Sequence, residues 1–169
     1  MVLSNEGALL ERIRSLREYD GAATLDPSSF NLKLTDLQAA LGLSQLERFP
    51  AFHERRRVLA AAYREALSSK AAVCPSVPPG RTHGYYRFVI RLPHLRTNPD
   101  GLIGLISRLE EQGIHCRKPV LRPLHRYLEQ SGFPNSDEAD RTALSIPLYP
   151  DLTDHEVRQI QQSLAKVLS

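Results

Sequence analysis

Asn31 and Lys33 lie two residues apart in the loop Phe30-Asn31-Leu32-Lys33, directly ahead of Thr35-Asp36-Leu37-Gln38. An amide donor and a cation beside a helix start are groups that can hold an oxyanion. The helix terminus itself adds unpaired amides and a partial positive charge, which suit a phosphate or carboxylate. The same residues also have a plainer use. Asn is a common turn former, and Lys ahead of a helix is normally solvated, slightly unfavourable at the positive end of the dipole. His125 is a second candidate, in Arg122-Pro123-Leu124-His125-Arg126-Tyr127. Proline stiffens such a loop, and a rigid loop can hold a ligand-facing imidazole. Its plainer reading is a surface loop histidine. His53 and His155 fall within helical patterns, and His94 and His115 at turn-like positions. No Gly-rich phosphate loop, G-x-S-x-G elbow or H-E-x-x-H helix accompanies them.

Other chemistries are argued against by the totals. Two cysteines, Cys74 and Cys116, make neither a disulfide framework nor a four-ligand zinc site, and free thiols are expected, with no metal. The net charge of +3 is mild. The densest basic run, His53-Glu54-Arg55-Arg56-Arg57, lies in a helical pattern and reads as a solvated face. A phosphate-tracking surface needs more cations and interleaved aromatics, so no nucleic-acid partner is expected. No run approaches the roughly 18 apolar residues of a membrane span. Met1-Val2-Leu3-Ser4-Asn5-Glu6 lacks the basic-then-apolar layout of a signal peptide, so a cytoplasmic protein without a membrane partner is expected.

The elements that must position these residues follow from periodicity and punctuation. With 169 residues there is room for one ordinary domain or one and a half small ones. Asn5 can cap a first helix through Tyr19, striped by Leu9, Leu10, Ile13 and Leu16, ended by Asp20-Gly21 and followed by a loop to Phe30. Thr35 and Gln38 form a capping box for a long helix. Leu37, Ala40, Leu41 and Ser44 mark one stripe on it, and Leu43, Leu46 and Phe49 another, so it is expected to meet two bodies. Pro50 either kinks this helix or starts a new one. The pattern then resumes with Phe52, Leu59, Ala62, Tyr63 and Ala66, and fails at Ser68-Ser69.

Pro75, Pro78, Pro79 and Gly80 mark an expected boundary, giving a helical segment 1–74 and a small α/β domain 75–169, with a short strand near Ala72 to Cys74. The clearest strand covers residues 85–92, with Tyr86, Phe88, Ile90 and Leu92 on one face, which suggests an antiparallel or edge setting. Asn98 and Pro99 open a helix carrying Leu102, Ile103, Ile106 and Leu109, which Gly113 closes, and residues 114–120 read as a second strand. A short helix over 136–144 interrupts an irregular stretch. Thr153 and Glu156 then form a second capping box for a final helix with Val157, Ile160, Leu164 and Val167 inside. The fold class is thus α/β (α+β): a long helix plus a small two-layer unit.

The block FNLKLTDLQAALGLSQLERFPAFHERR resembles a segment of the DegT/DnrJ/EryC1/StrS sugar aminotransferases, which carry N-x-R-[LM]-T-D-[LI]-Q-A-A ahead of a long helix. The similarity continues in order through LLERIRSLREYD upstream, then YYRFVIRL, LEEQGIHCRKPVLRPLH and LSIPLYPDLTDHEV. Five ordered blocks over nearly the whole chain make the resemblance specific. It implies the C-terminal part of a large, usually dimeric fold of the aspartate-aminotransferase type. It also implies a pyridoxal phosphate cofactor and amino transfer from glutamate to a keto-sugar nucleotide. Asn31 would reach across a dimer interface to the cofactor phosphate of the partner subunit, with Lys33 beside it. The family has arginine at that second position, and lysine keeps the charge but loses the bidentate fork. His125 corresponds to a stretch near the sugar-nucleotide pocket.

The family's Schiff-base lysine, the acidic partner of the pyridine nitrogen and the aromatic that stacks on the ring all precede the segment resembling this chain's first residues. The resemblance therefore implies no catalytic residue among these 169, inactivity of the portion alone, and an N-terminal, lysine-bearing partner chain. A degenerate, non-catalytic dimerisation or binding module is the alternative, and a domain of merely similar structure a third. The broad apolar surface of the helix after Thr35 implies a homodimer in the first two cases.

Overall fold

The computed structural model describes residues 2–17, 30–98 and 100–168. The expected helix end at Tyr19, the Asp20-Gly21 turn, the loop over 22–29 and Pro99 lie outside them. Contacts gather the chain into two compact units, Met1–Arg48 and Phe49–Ser169. This division differs from the expected one at 74/75, and its cause is burial. Beyond Phe49 the long helix contributes Leu59, Ala60 and Tyr63 to the main core, so the proline-rich stretch after Cys74 lies inside a unit.

In the first unit, helix α1 (Gly7–Arg17) starts one residue later than an Asn5 cap would place it. Ser4 rather than Asn5 supplies the local side-chain acceptor, taking the Glu6 amide at 3.1 Å. Leu10, Ile13 and Leu16 are half-buried on one side. The Phe30 amide donates to the Leu16 carbonyl at 3.0 Å, which ties the loop 30–34 to the end of α1.

Helix α2 (Asp36–Ala66) begins at the capping box read from sequence. Gln38 N donates to Thr35 Oγ1 at 3.2 Å, and Thr35 N to Gln38 Oε1 at 3.0 Å. The helix continues through Pro50, so no second helix starts there, although the missing N–H removes one ladder bond. Its two halves differ sharply in burial. Leu37, Leu41, Leu43, Leu46 and Phe49 are each more than half exposed, whereas Leu59 and Tyr63 are shut away from solvent.

The second unit is built on a two-stranded antiparallel sheet, β1 (Phe88–Arg91) against β2 (Ala143–Ile146), with Phe88 opposite Ile146 and Arg91 opposite Ala143. Each outer edge gains one pair of backbone hydrogen bonds, from Val73 to Arg91 and from Arg117 to Ser145. The expected strand over 114–120 is reduced to that single bridge. Its place beside β1 is taken by β2, which the sequence disguised as a helix end. Phe88, Ile90 and Leu92 face the core as expected, but Tyr86 is 76% exposed and Tyr85 is buried. Tyr85 has φ of 43°, which breaks the alternation. That conformation costs about 1–2 kcal/mol. It is held by Tyr85 N donating to His83 Nδ1 at 2.9 Å and by Arg64 donating to the Tyr85 hydroxyl at 3.1 Å.

Helices α3 (Gly101–Glu110) and α6 (Asp154–Val167) pack together against the sheet's core residues. Leu102, Leu105 and Leu109 come from α3, with Ile103 turned outward, and Val157, Ile160 and Leu164 from α6. Gly113, at φ of 76°, takes the left-handed position that ends the α3 turn. The Thr153–Glu156 capping box is formed as read, and the Thr153 bonds hold the Glu156 carboxyl below its usual range. Two short helices, α4 (Leu124–Tyr127) and α5 (Pro134–Thr142), lead into β2.

Candidate functional site

In the first unit the loop before α2 and the inner side of α1 enclose a groove of about 1030 Å³, whose lining includes Leu10, Ile13, Leu16, Asn31, Lys33 and Gln38. Asn31 and Lys33 are exposed. Among the described residues the Asn31 side chain makes no hydrogen bond, so its amide is available as a donor. The helix terminus contributes less than the sequence suggested. The capping box consumes the Thr35 and Gln38 amides, and Asp36 adds a carboxylate to the first turn. An oxyanion here depends on Asn31 and Lys33, an amide donor and an ammonium, and that donor set fits a phosphate.

In the second unit His125 is 8% exposed. Its Nε2 lies 3.1 Å from Asp137 Oδ1, and its ring stacks on Phe133 with centroids 5.1 Å apart. A carboxylate only accepts, so Nε2 carries the proton of this hydrogen bond. Arg126 joins the same acid, donating from Nη2 to Asp137 Oδ1 at 3.0 Å, while its Nη1 lies 2.9 Å from Asp140 Oδ2. Asp140, with a side chain 4% exposed, also receives the Lys118 ammonium. Asp137 and Asp140 are three residues apart on α5 and so share a face. On another side of the helix Glu138 receives Arg91 at 3.1 Å and Arg96 at 2.5 Å.

These pairs hold the loop 117–127 against α5 through charge. The Arg126 bond, then the His125 bond, keep the Asp137 carboxyl below the ordinary carboxylate range. A mostly apolar pocket of about 280 Å³ lies beside them, lined by Lys118, Pro119, Val120, Leu124, Ala139 and Asp140 among others. Sequence reading singled out His125 but missed Arg126, Asp137 and Asp140. The signal was present: acids at three-residue spacing in Ser136-Asp137-Glu138-Ala139-Asp140, a short stretch too polar to be held by burial. Asn31 and Lys33 lie in the first unit and His125 in the second. No group of three or more potential metal ligands occurs among the described residues. No described helix is long and apolar enough to cross a membrane.

The model of the DegT/DnrJ/EryC1/StrS aminotransferase family matches residues 1–165. The chain is 32% identical over 138 residues to the dTDP-4-dehydro-2,3,6-trideoxy-D-glucose 4-aminotransferase of Saccharopolyspora spinosa, covering 79% of this chain and 34% of that protein. It is 28% identical over 171 residues to GDP-perosamine synthase of Vibrio cholerae, covering 95% of this chain and 46% of that one. Among solved structures, the aminotransferase TlmJ from Streptoalloteichus hindustanus superposes with a TM-score of 0.81 at 25% identity, over 97% of this chain and 46% of its own. The chain therefore spans less than half the length of these relatives.

The lowered pKa of Asp137 gives a pH dependence with a definite sign. The stabilisation it carries is complete above the ordinary carboxylate range and is lost as pH falls through its depressed folded value. Thermal melts of the wild type and Asp137→Asn, followed from neutral pH to about pH 3, should show the wild type more stable at neutral pH and the gap closing in acid. A gap independent of pH would mean that the Asp137 charge contributes nothing.

Proposed function

The chain belongs to the DegT/DnrJ/EryC1/StrS aminotransferase family, and we propose that it forms the C-terminal portion of a pyridoxal-phosphate-dependent aminotransferase acting on keto-sugar nucleotides. The observation that carries this reading is the family match across residues 1–165. Relatives named as aminotransferases of a dTDP-linked dehydro-sugar and as a GDP-perosamine synthase supply the substrate class. The cofactor supplies an electron sink for moving the amino group, and the protein's task is to hold and orient it.

In this reading Asn31 donates an amide N–H, and Lys33 a charge, to the cofactor phosphate held by a partner subunit. Lys33 replaces an arginine fork by a point charge, so orientation falls mainly to Asn31. His125 serves the substrate side. With Nε2 committed to Asp137, its ring is held in one orientation and helps keep the loop 117–127 in one shape. The 169 residues by themselves do not transaminate. Of the four lysines, Lys33 and Lys118 line clefts; Lys118 is the one beside the pocket near His125, and its ammonium is held by Asp140, a contact that would have to break before the nitrogen could attack a carbonyl. When the isolated chain is incubated with pyridoxal phosphate and reduced with borohydride, peptide mass spectrometry should find no pyridoxyl group on Lys118. A stoichiometric adduct there would refute the assignment.

The first half of α2 forms a homodimer surface in the same reading. Leu37, Leu41, Leu43, Leu46 and Phe49 are each more than half exposed along two stripes of it, and exposed apolar surface of this kind tends to find partners. Light scattering at micromolar concentration should give a dimer or larger species, and Leu41→Glu should shift it toward monomer. A monodisperse wild-type monomer contradicts the dimer.

A further inference from the structure

A second cleft in the Phe49–Ser169 unit, of about 230 Å³, is lined by Tyr86, Arg87, His115, Arg117, Lys118 and Ser145, among others. Its charges are unevenly compensated. Lys118 is matched by Asp140, and His115 Nδ1 lies 3.4 Å from Glu110, an ion pair when the ring is protonated. Arg87 and Arg117 have no acidic partner among the described residues. Arg87 donates from Nη1 to the Pro119 carbonyl at 2.5 Å and lies 5.5 Å from the centre of the Tyr86 ring, so one of its five N–H donors is used. The Arg117 side chain makes no hydrogen bond among the described residues, while its backbone is fixed to β2 by the two bonds to Ser145.

Two guanidinium groups with spare donors, mounted on neighbouring rigid backbone, match the recognition of paired phosphates. Each planar fork can take one phosphoryl group in bidentate fashion. Tyr86, Pro147 and Leu148 add an apolar wall to the same cleft. We propose that this cleft is the subsite for the diphosphate bridge of a sugar nucleotide, with Arg117 and Arg87 as its binding residues. The inference rests on the sugar-nucleotide reading given above and assigns the charged part of that substrate to particular side chains.

The test uses the full 169-residue chain at low ionic strength, with uridine diphosphate, inorganic pyrophosphate and inorganic phosphate as probes, binding being read by calorimetry and by phosphorus NMR. Both diphosphates should bind at millimolar or better affinity, more tightly than inorganic phosphate, and weaken with added salt. Arg117→Gln should lower the affinity for both about tenfold, a normal loss for a charge-assisted bond, with circular dichroism unchanged. Arg117→Lys should recover part of it, and Arg108→Gln on α3 should have no effect. Arg87→Gln should weaken binding too, although it also releases Pro119. Diphosphate binding that survives Arg117→Gln would place the subsite elsewhere and overturn the proposal, leaving intact the amino-transfer reading, which is tested separately by combining the chain with a lysine-bearing N-terminal portion. Equal affinity for inorganic phosphate would overturn the diphosphate assignment. No binding of either diphosphate to the wild type would overturn the site altogether.

Discussion

Tyr63 has no exposed surface, and its hydroxyl donates to the Pro147 carbonyl at 2.9 Å while its ring meets Phe88 edge-on with centroids 5.6 Å apart. Burial first of all pushes its phenol pKa upward, so the group stays a neutral donor at any physiological pH. Through this one side chain the second half of α2, strand β1 and the segment after β2 are tied together. Leu59 and Leu67 extend the same contact along the helix, and Gln161 reaches from α6 to the Ala62 carbonyl at 3.0 Å. Arg55 adds bonds to the Leu152 carbonyl at 2.7 Å and to Asp154 at 2.9 Å. A helix anchored so firmly at one end can carry an apolar, unpartnered face at the other, and that contrast underlies the interface reading.

A different physical device holds the loop carrying His125. Helix α5 has little apolar surface to bury, so its acids are engaged by donors from the surrounding segments: His125 and Arg126 at Asp137, Arg91 and Arg96 at Glu138, Lys118 and Arg126 at Asp140. Surface ion pairs are individually weak, but Asp140 is almost fully enclosed, and removing either cation would leave a buried charge undercompensated. The network therefore specifies the position of the loop more than it adds to overall stability. One edge of that loop, at Lys118 and Arg117, also borders the basic cleft beside β2.

What the sequence made legible was what is decided locally. Both capping boxes, Thr35–Gln38 and Thr153–Glu156, formed as expected because three residues of spacing suffice to define them. Helical periodicity predicted the core face of α6 and part of that of α3, where Leu105 rather than Ile103 lies inside, and the alternation of β1 held until Tyr85 adopted a positive φ fixed by His83 and Arg64. Strand β2 was not legible, since the four residues Ala143-Leu144-Ser145-Ile146 are too short a run for their alternation to stand out at the end of a helical pattern, and they pair with β1 and with Arg117. The unit boundary was missed for a related reason: proline punctuation is visible in sequence, whereas the depth at which a helix enters a core is not. Residue types pointed to Asn31, Lys33 and His125, but burial and partners came only with the fold. The family resemblance read from five blocks agrees with the family match over 1–165, since it rested on order along nearly the whole chain.

The central claim is that these residues supply one side of an aminotransferase site and that Asn31 addresses the cofactor phosphate. The direct measurement is amino transfer from glutamate to a keto-sugar nucleotide by this chain combined with a lysine-bearing N-terminal portion of a family member. The account predicts turnover only from the combination, with Asn31→Ala weakening pyridoxal phosphate retention and lowering the rate. Turnover by the 169-residue chain alone, or full activity of the combination with Asn31→Ala, would contradict it.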